Sequence, residues 1–127
     1  MVLCLVVDDD EIVCEIAAKA LASWNLQVVI KQDGLEALRW CAETIPDFII
    51  LDMKMPNVDG FTFISTLHKM INGHKPKVIA STGLCDRETV EKLKEDGIAA
   101  YLVKPYSMAA LKEKLTRLDA FPMNMLQ

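Results

Sequence analysis

The chain has 127 residues, 52% of them hydrophobic and 25% charged, with a formal net charge of -4. This length and apolar content suit one compact domain with a full core, and a mildly acidic chain with no basic block argues against a nucleic-acid-binding face. The apolar opening from Met1 to Val7 has no basic leader and runs into Asp8-Asp9-Asp10. It therefore reads as a buried strand, not as a signal peptide or membrane span. Cys4, Cys14, Cys41 and Cys85 form no C-x-x-C pair, which predicts small buried thiols in a reduced, cytoplasmic protein.

The unbroken apolar run Val2 to Val7 predicts a strand covered on both faces. Asp10 is placed to cap a helix whose apolar positions are Ile12, Val13, Ile16, Ala17, Ala20, Leu21 and Trp24. Leu26 to Ile30 predicts the second strand, Asp33-Gly34 a turn, and Leu35, Leu38, Cys41 and Ala42 the buried stripe of a helix that ends before Pro46. Phe48 to Leu51 is the third strand. A loop through Pro56 and Asp59-Gly60 leads to a helix carrying Phe61, Ile64, Leu67, His68 and Ile71, stopped at Asn72-Gly73.

Val78 to Ala80 predicts the fourth strand, and Asp86 caps a sparsely apolar helix with Val90 and Leu93, ended by Gly97. Ala100 to Val103 is the fifth strand. Ser107 caps the last helix, with Met108, Leu111, Leu115 and Leu118 as its stripe, and Pro122 ends regular structure. Residues 1–120 are read as the domain and 121–127 as a tail, whose apolar residues Phe121, Met123, Met125 and Leu126 either pack on the domain or meet a partner.

Five strands alternating with five helices predict an α/β, flavodoxin-like, doubly wound fold: a five-stranded parallel sheet with helices on both faces and strand order 2-1-3-4-5. That order places the ends of the first and third strands side by side at the topological switch point, where ligands bind in such sheets. Asp8, Asp9 and Asp52 meet there, and Thr82 and Lys104 also close apolar runs. Three carboxylates within roughly 4–6 Å repel one another unless a cation joins them. Oxygen-only ligands favour Mg²⁺. An ammonium and a hydroxyl suit phosphoryl oxygens, and an aspartate in such a site can become an acyl phosphate, so Asp52 is the expected nucleophile.

Asp8-Asp9, Asp52 with Met55-Pro56 and Asp59-Gly60, Thr82-Gly83, and Tyr101 before Lys104-Pro105 form an ordered set of landmarks. In these the chain resembles the response-regulator receiver domains of two-component signalling, from Leu3 to about Leu118. The resemblance implies that Asp52 takes a phosphoryl group from a histidine kinase's phosphohistidine, a phosphotransfer protein or a small phosphodonor, which makes the chain a signalling phosphoacceptor and not a conventional enzyme. It implies that Asp9 binds Mg²⁺ directly, Asp8 through a water, and Lys54 through its backbone carbonyl. It implies that Lys104 pairs with Asp52 and then with a phosphoryl oxygen, across a cis bond to Pro105. Thr82 and Tyr101 then act as switch residues for the face of the fourth helix, fifth strand and fifth helix. That face serves a downstream effector, a fused output domain or a homodimer, with no nucleic acid or membrane bound directly.

Lys54, and Leu84 two places after Thr82, stand where this family tunes phosphoryl lifetime, and a long cation with an apolar neighbour implies slow loss. Asp59 is read as a structural cap, His68 and His74 as non-ligands, and Trp24 and Trp40 as packing residues. One rival is a haloacid-dehalogenase-type phosphatase, which would need Val at position 9, where Asp9 stands, and a further acidic motif after Lys104. The other is a degenerate receiver that is never phosphorylated, although all five site residues are present.

Overall fold

A computed structural model describes residues 2–73, 75–83 and 86–118. Strand and helix alternate throughout: β1 (Leu3–Val7), α1 (Glu11–Ser23), β2 (Gln27–Lys31), α2 (Gly34–Cys41), β3 (Phe48–Asp52), α3 (Gly60–Met70), β4 (Lys77–Thr82), α4 (Arg87–Glu95), β5 (Ala100–Val103) and α5 (Met108–Arg117). The strands form one parallel sheet in the order β2-β1-β3-β4-β5. This is the predicted flavodoxin-like arrangement.

Local chemistry sets the helix starts. Asp10 accepts from the N–H groups of Ile12 and Val13, Asp33 from Leu35 and Glu36, Asp59 from Thr62, Asp86 from Thr89, and Ser107 from Ala110. Each side chain satisfies donors that the first turn leaves unpaired, a contribution of about 1 kcal/mol per cap. Asp33-Gly34, expected as a turn, is therefore a cap and the first helical residue. Gly97 ends α4 with its N–H on the Lys94 carbonyl at φ 77°, where a Cβ would be strained.

The sheet is covered on both sides. On one face Leu5, Ile49, Leu51 and Ala80 pack with Ala37 and Leu38 of α2, Phe63, Ile64 and Leu67 of α3, and Leu93 of α4. On the other, Cys4, Val6, Ile50, Ile79 and Leu102 pack with Cys14, Ala17 and Leu21 of α1 and Leu111 and Leu115 of α5. Replacing fully buried Phe63 by Ala would cost about 3–5 kcal/mol.

One expected stripe is rotated. Cys14, Ala17, Ala20 and Leu21 are the buried residues of α1, whereas Ile12 and Ile16 are 68% and 51% exposed. The small side chains at 14, 17 and 20 let the helix lie close to the sheet, and this turns the two isoleucines outwards. Leu35 and Met108 are likewise exposed at the first turns of their helices. No described helix is long and apolar enough to cross a membrane.

Candidate functional site

The carboxyl edge of the sheet gathers the residues that close its strands. Asp8 and Asp52 are 3% and 4% exposed, Thr82 is also buried, and Asp9 is open to solvent. One carboxylate oxygen from each of Asp8, Asp9 and Asp52 falls within 4.8 Å of the others. Consecutive residues on a strand point to opposite faces, but Asp9 lies past the end of β1, so its carboxyl still reaches the group.

Each buried carboxylate is held by name. Asp8 Oδ1 accepts from the Asp10 N–H at 2.9 Å, and Asp52 Oδ1 accepts from the Lys54 N–H at 3.1 Å. Lys104 Nζ lies 2.8 Å from Asp8 Oδ2 and 3.3 Å from Asp52 Oδ2. The Lys104 backbone N–H donates to the Thr82 carbonyl at 2.7 Å, which ties the end of β5 to β4, and the Lys104-Pro105 peptide is cis. Behind Asp52, the Met53 N–H bonds the Ser81 carbonyl and the Gly60 N–H bonds the Met53 carbonyl.

Burial pushes the Asp52 carboxyl up to about 6; the Lys54 N–H and the Lys104 ammonium oppose that rise, while the charge of Asp8 and contact with the Asp9 carboxyl add to it. Burial works against the charge on Lys104, yet hydrogen bonds and attraction from Asp8 and Asp52 outweigh it and hold the ammonium above the usual lysine range. The site is short of positive charge. One ammonium faces three carboxylates, and an oxygen-only donor set of this size fits a small hard dication.

The other expected residues fall around this centre. The Lys54 side chain is exposed at the rim, and Tyr101 is half-buried in β5 with Lys114 Nζ 5.9 Å from its ring centroid. Tyr101 lines a groove with Val90 and Lys94 of α4 and Lys114 and Arg117 of α5. Asp59 caps α3. His68 belongs to no cluster of metal-ligating groups among the described residues. Cys4, Cys14 and Cys41 are free and buried, with thiols pushed up by burial to about 12, 11 and 11. Leu84, Cys85, His74 and the tail 121–127 lie outside the described residues.

Two residues went unnoticed in the sequence. The side-chain oxygens of Ser81 and Tyr106 are buried without a hydrogen-bond partner among the described residues. A serine inside the run Val78 to Thr82 was the available signal, but a hydroxyl in a strand is ordinary until its neighbours are known.

Residues 4–116 match the response regulator receiver domain family. The chain belongs to that family. As a receiver domain of two-component response regulators, it is 38% identical over 114 residues to the transcriptional regulatory protein PrrA of Mycobacterium leprae, covering 90% of this chain and 48% of that protein. It is 32% identical over 125 residues to the probable C4-dicarboxylate response regulator DctR of Priestia megaterium, covering 97% and 54%. The receiver thus spans about half the length of these curated relatives. Among solved structures, chemotaxis protein CheY4 of Vibrio cholerae superposes with a TM-score of 0.83 at 27% identity, covering 92% of this chain and 98% of that one. The receiver domain of the sensor histidine kinase PA1611 of Pseudomonas aeruginosa, which has magnesium coordinated in its active-site cleft, gives a TM-score of 0.80 at 27% identity, covering 91% and 94%. Neither the family match nor these relatives support the phosphatase reading.

Proposed function

We propose that Asp52 is the phosphoacceptor of this receiver. The observation that carries the reading is a buried Asp52 carboxyl with an Asp8 and an Asp9 oxygen within 4.8 Å and the Lys104 ammonium at 3.3 Å. In the reaction an Asp52 oxygen forms a bond to phosphorus. The bond from phosphorus to the donor's histidine nitrogen breaks, and its electron pair stays with the imidazole.

Asp9, Asp52 and the Lys54 backbone carbonyl would hold Mg²⁺, with Asp8 contributing through a water. Bound there, the ion supplies positive charge to the carboxylates and the phosphoryl oxygens. Lys104 donates to a phosphoryl oxygen, and the Thr82 hydroxyl to another. Movement of Thr82 makes room for the Tyr101 ring to turn inwards, which alters the groove between α4 and α5. Phosphorylation then changes which partner that face accepts, an effector, an output domain or a second receiver. The relatives' regulatory names support such an output, and the upstream donor is a histidine kinase or phosphotransfer protein in the cytoplasm.

Incubation with Mg²⁺ and acetyl phosphate, read by intact mass, tests the assignment. A single phosphoryl adduct is expected on the wild type and not on Asp52→Asn. No adduct on the wild type, or an undiminished one on the variant, would overturn it.

A further inference from the structure

Ser81 lies on β4 paired with Asp52 of β3 on one side and Leu102 of β5 on the other. Ile50, Ile79 and Leu102 all belong to the core beneath α1 and α5. Side chains alternate along a strand, so Asp52, Ser81 and Lys104, each two residues beyond one of these or paired across the sheet, share that same face. Lys104 starts beyond β5 and reaches Asp52 on β3 and Asp8 just past β1, so its stem crosses β4 over this face. Ser81 belongs to this face of β4. It has 0% exposure, and its hydroxyl has no hydrogen-bond partner among the described residues.

An alanine at this buried place would carry no polar group. The serine hydroxyl instead leaves a buried polar group with no partner among the described residues, which is unfavourable in the resting fold. In the resting arrangement both Asp52 oxygens are engaged, Oδ1 by the Lys54 N–H and Oδ2 by Lys104. Lys104 is also shared with Asp8, its shorter contact. When Lys104 turns to a phosphoryl oxygen, the Asp52 oxygen it leaves shares a face of the sheet with the paired Ser81 hydroxyl, which has no acceptor among the described residues.

We infer that Ser81 is a catalytic residue for phosphoryl loss at Asp52: its buried hydroxyl, on the same face of the sheet as the paired Asp52, donates to the carbonyl oxygen of the acyl phosphate. The inference rests on the phosphoacceptor reading. In hydrolysis, the oxygen of water forms a new bond to phosphorus and its proton passes to solvent. The bond from phosphorus to the Asp52 oxygen breaks, and its electron pair returns to the carboxylate. A donor on the other carboxyl oxygen stabilises that developing charge, so Ser81 makes Asp52 a better leaving group.

The test is the first-order loss of the phosphoryl adduct after the donor is removed, with Mg²⁺ present, in the wild type, Ser81→Ala, Ser81→Thr and Ser81→Val. Loss from Ser81→Ala is expected to slow about 2- to 10-fold, the range for one hydrogen bond. Its urea midpoint should be unchanged or higher, because the hydroxyl has no partner among the described residues of the resting fold. Thr retains the hydroxyl and should lose phosphate at the wild-type rate, whereas Val, of the same shape, should behave as Ala. A lifetime for Ser81→Ala equal to or shorter than wild type overturns the inference even if the bulkier variants fail to fold, and so does matching behaviour of Thr and Val. A wild type that takes up no phosphoryl group overturns the phosphoacceptor reading itself; an adduct with lifetimes insensitive to Ser81 overturns this inference alone.

Discussion

Lys104 is bound more closely to Asp8 than to the expected phosphoacceptor: its Nζ stands 2.8 Å from Asp8 Oδ2 and 3.3 Å from Asp52 Oδ2. The lysine therefore bridges the two strands that flank the switch point. It both offsets the charge of Asp52 and keeps Asp8 from acting as an unpaired buried anion.

Lys104→Met should accordingly lose phosphorylation and also lose stability at neutral pH, because it leaves two buried carboxylates facing each other. Removing one partner of a buried pair costs about 3–5 kcal/mol, and partial exposure of Lys104 brings the expectation to roughly 1–3 kcal/mol. Urea unfolding measured at pH 7 and at pH 4.5 checks this. Part of the deficit should vanish at the lower pH as the Asp52 carboxyl protonates; an equal deficit at both would show that the loss is one of packing.

Asp52 itself is a liability for the resting fold. Its carboxyl titrates at about 6 when folded, against an ordinary value of 3.8. Between those values the folded state holds more protons than the unfolded one, so this group's contribution to stability falls as pH rises through that window and stays reduced above it. Asp52→Asn should be more stable than the wild type at pH 7, by a few degrees in Tm, and the gap should close towards pH 4. A gap independent of pH would contradict the assignment.

Mg²⁺ should raise the Tm of the wild type and shift the amide resonances of Asp9, Asp52 and Lys54. At a concentration one hundred times Kd, the stabilisation is about 2.7 kcal/mol. Asp9→Ala, which removes the exposed carboxylate without opening the core, should weaken binding severely while folding normally. Equal Mg²⁺ affinity in that variant would remove Asp9 from the metal site.

Gly60 is held for steric reasons directly behind Asp52. A Cβ there would stand 2.5 Å from Met53 Sδ and 2.6 Å from Met53 Cα, the residue after Asp52. Gly60→Ala should cost about 1–3 kcal/mol, since backbone cannot yield as a side-chain tip can. Chemical denaturation measures it, and a neutral effect would mean that the loop after β3 moves freely.

Lys54 beside the site, together with Leu84, is expected to lengthen the life of the phosphoaspartate. Lys54→Ala and Leu84→Glu should each speed phosphoryl loss several-fold when the adduct is followed by intact mass. Lifetimes unchanged in both would remove these positions from control of hydrolysis.

Much of this was legible in one dimension because it rests on local rules. Phe48 to Leu51 had to be a buried strand, and Asp52 at its end had to face the crevice. Asp10, Asp59, Asp86 and Ser107 announced their helices through capping chemistry that acts within three residues. Ile12 and Ile16 were misassigned for the converse reason. Helical periodicity allows several overlapping arcs, and close packing against the sheet selected the one through Cys14, Ala17 and Leu21.

The amino-acid order by itself determined the alternating architecture and the edge at which Asp8, Asp9, Asp52, Thr82 and Lys104 gather, since periodicity, capping and strand-end placement are properties of neighbours along the chain. Only the tertiary structure decided that Lys104 leans on Asp8, that Asp9 reaches back to the cluster, and that the Ser81 hydroxyl is enclosed. Those facts depend on side chains from different strands meeting across the sheet, and distances of that kind are set by register and packing.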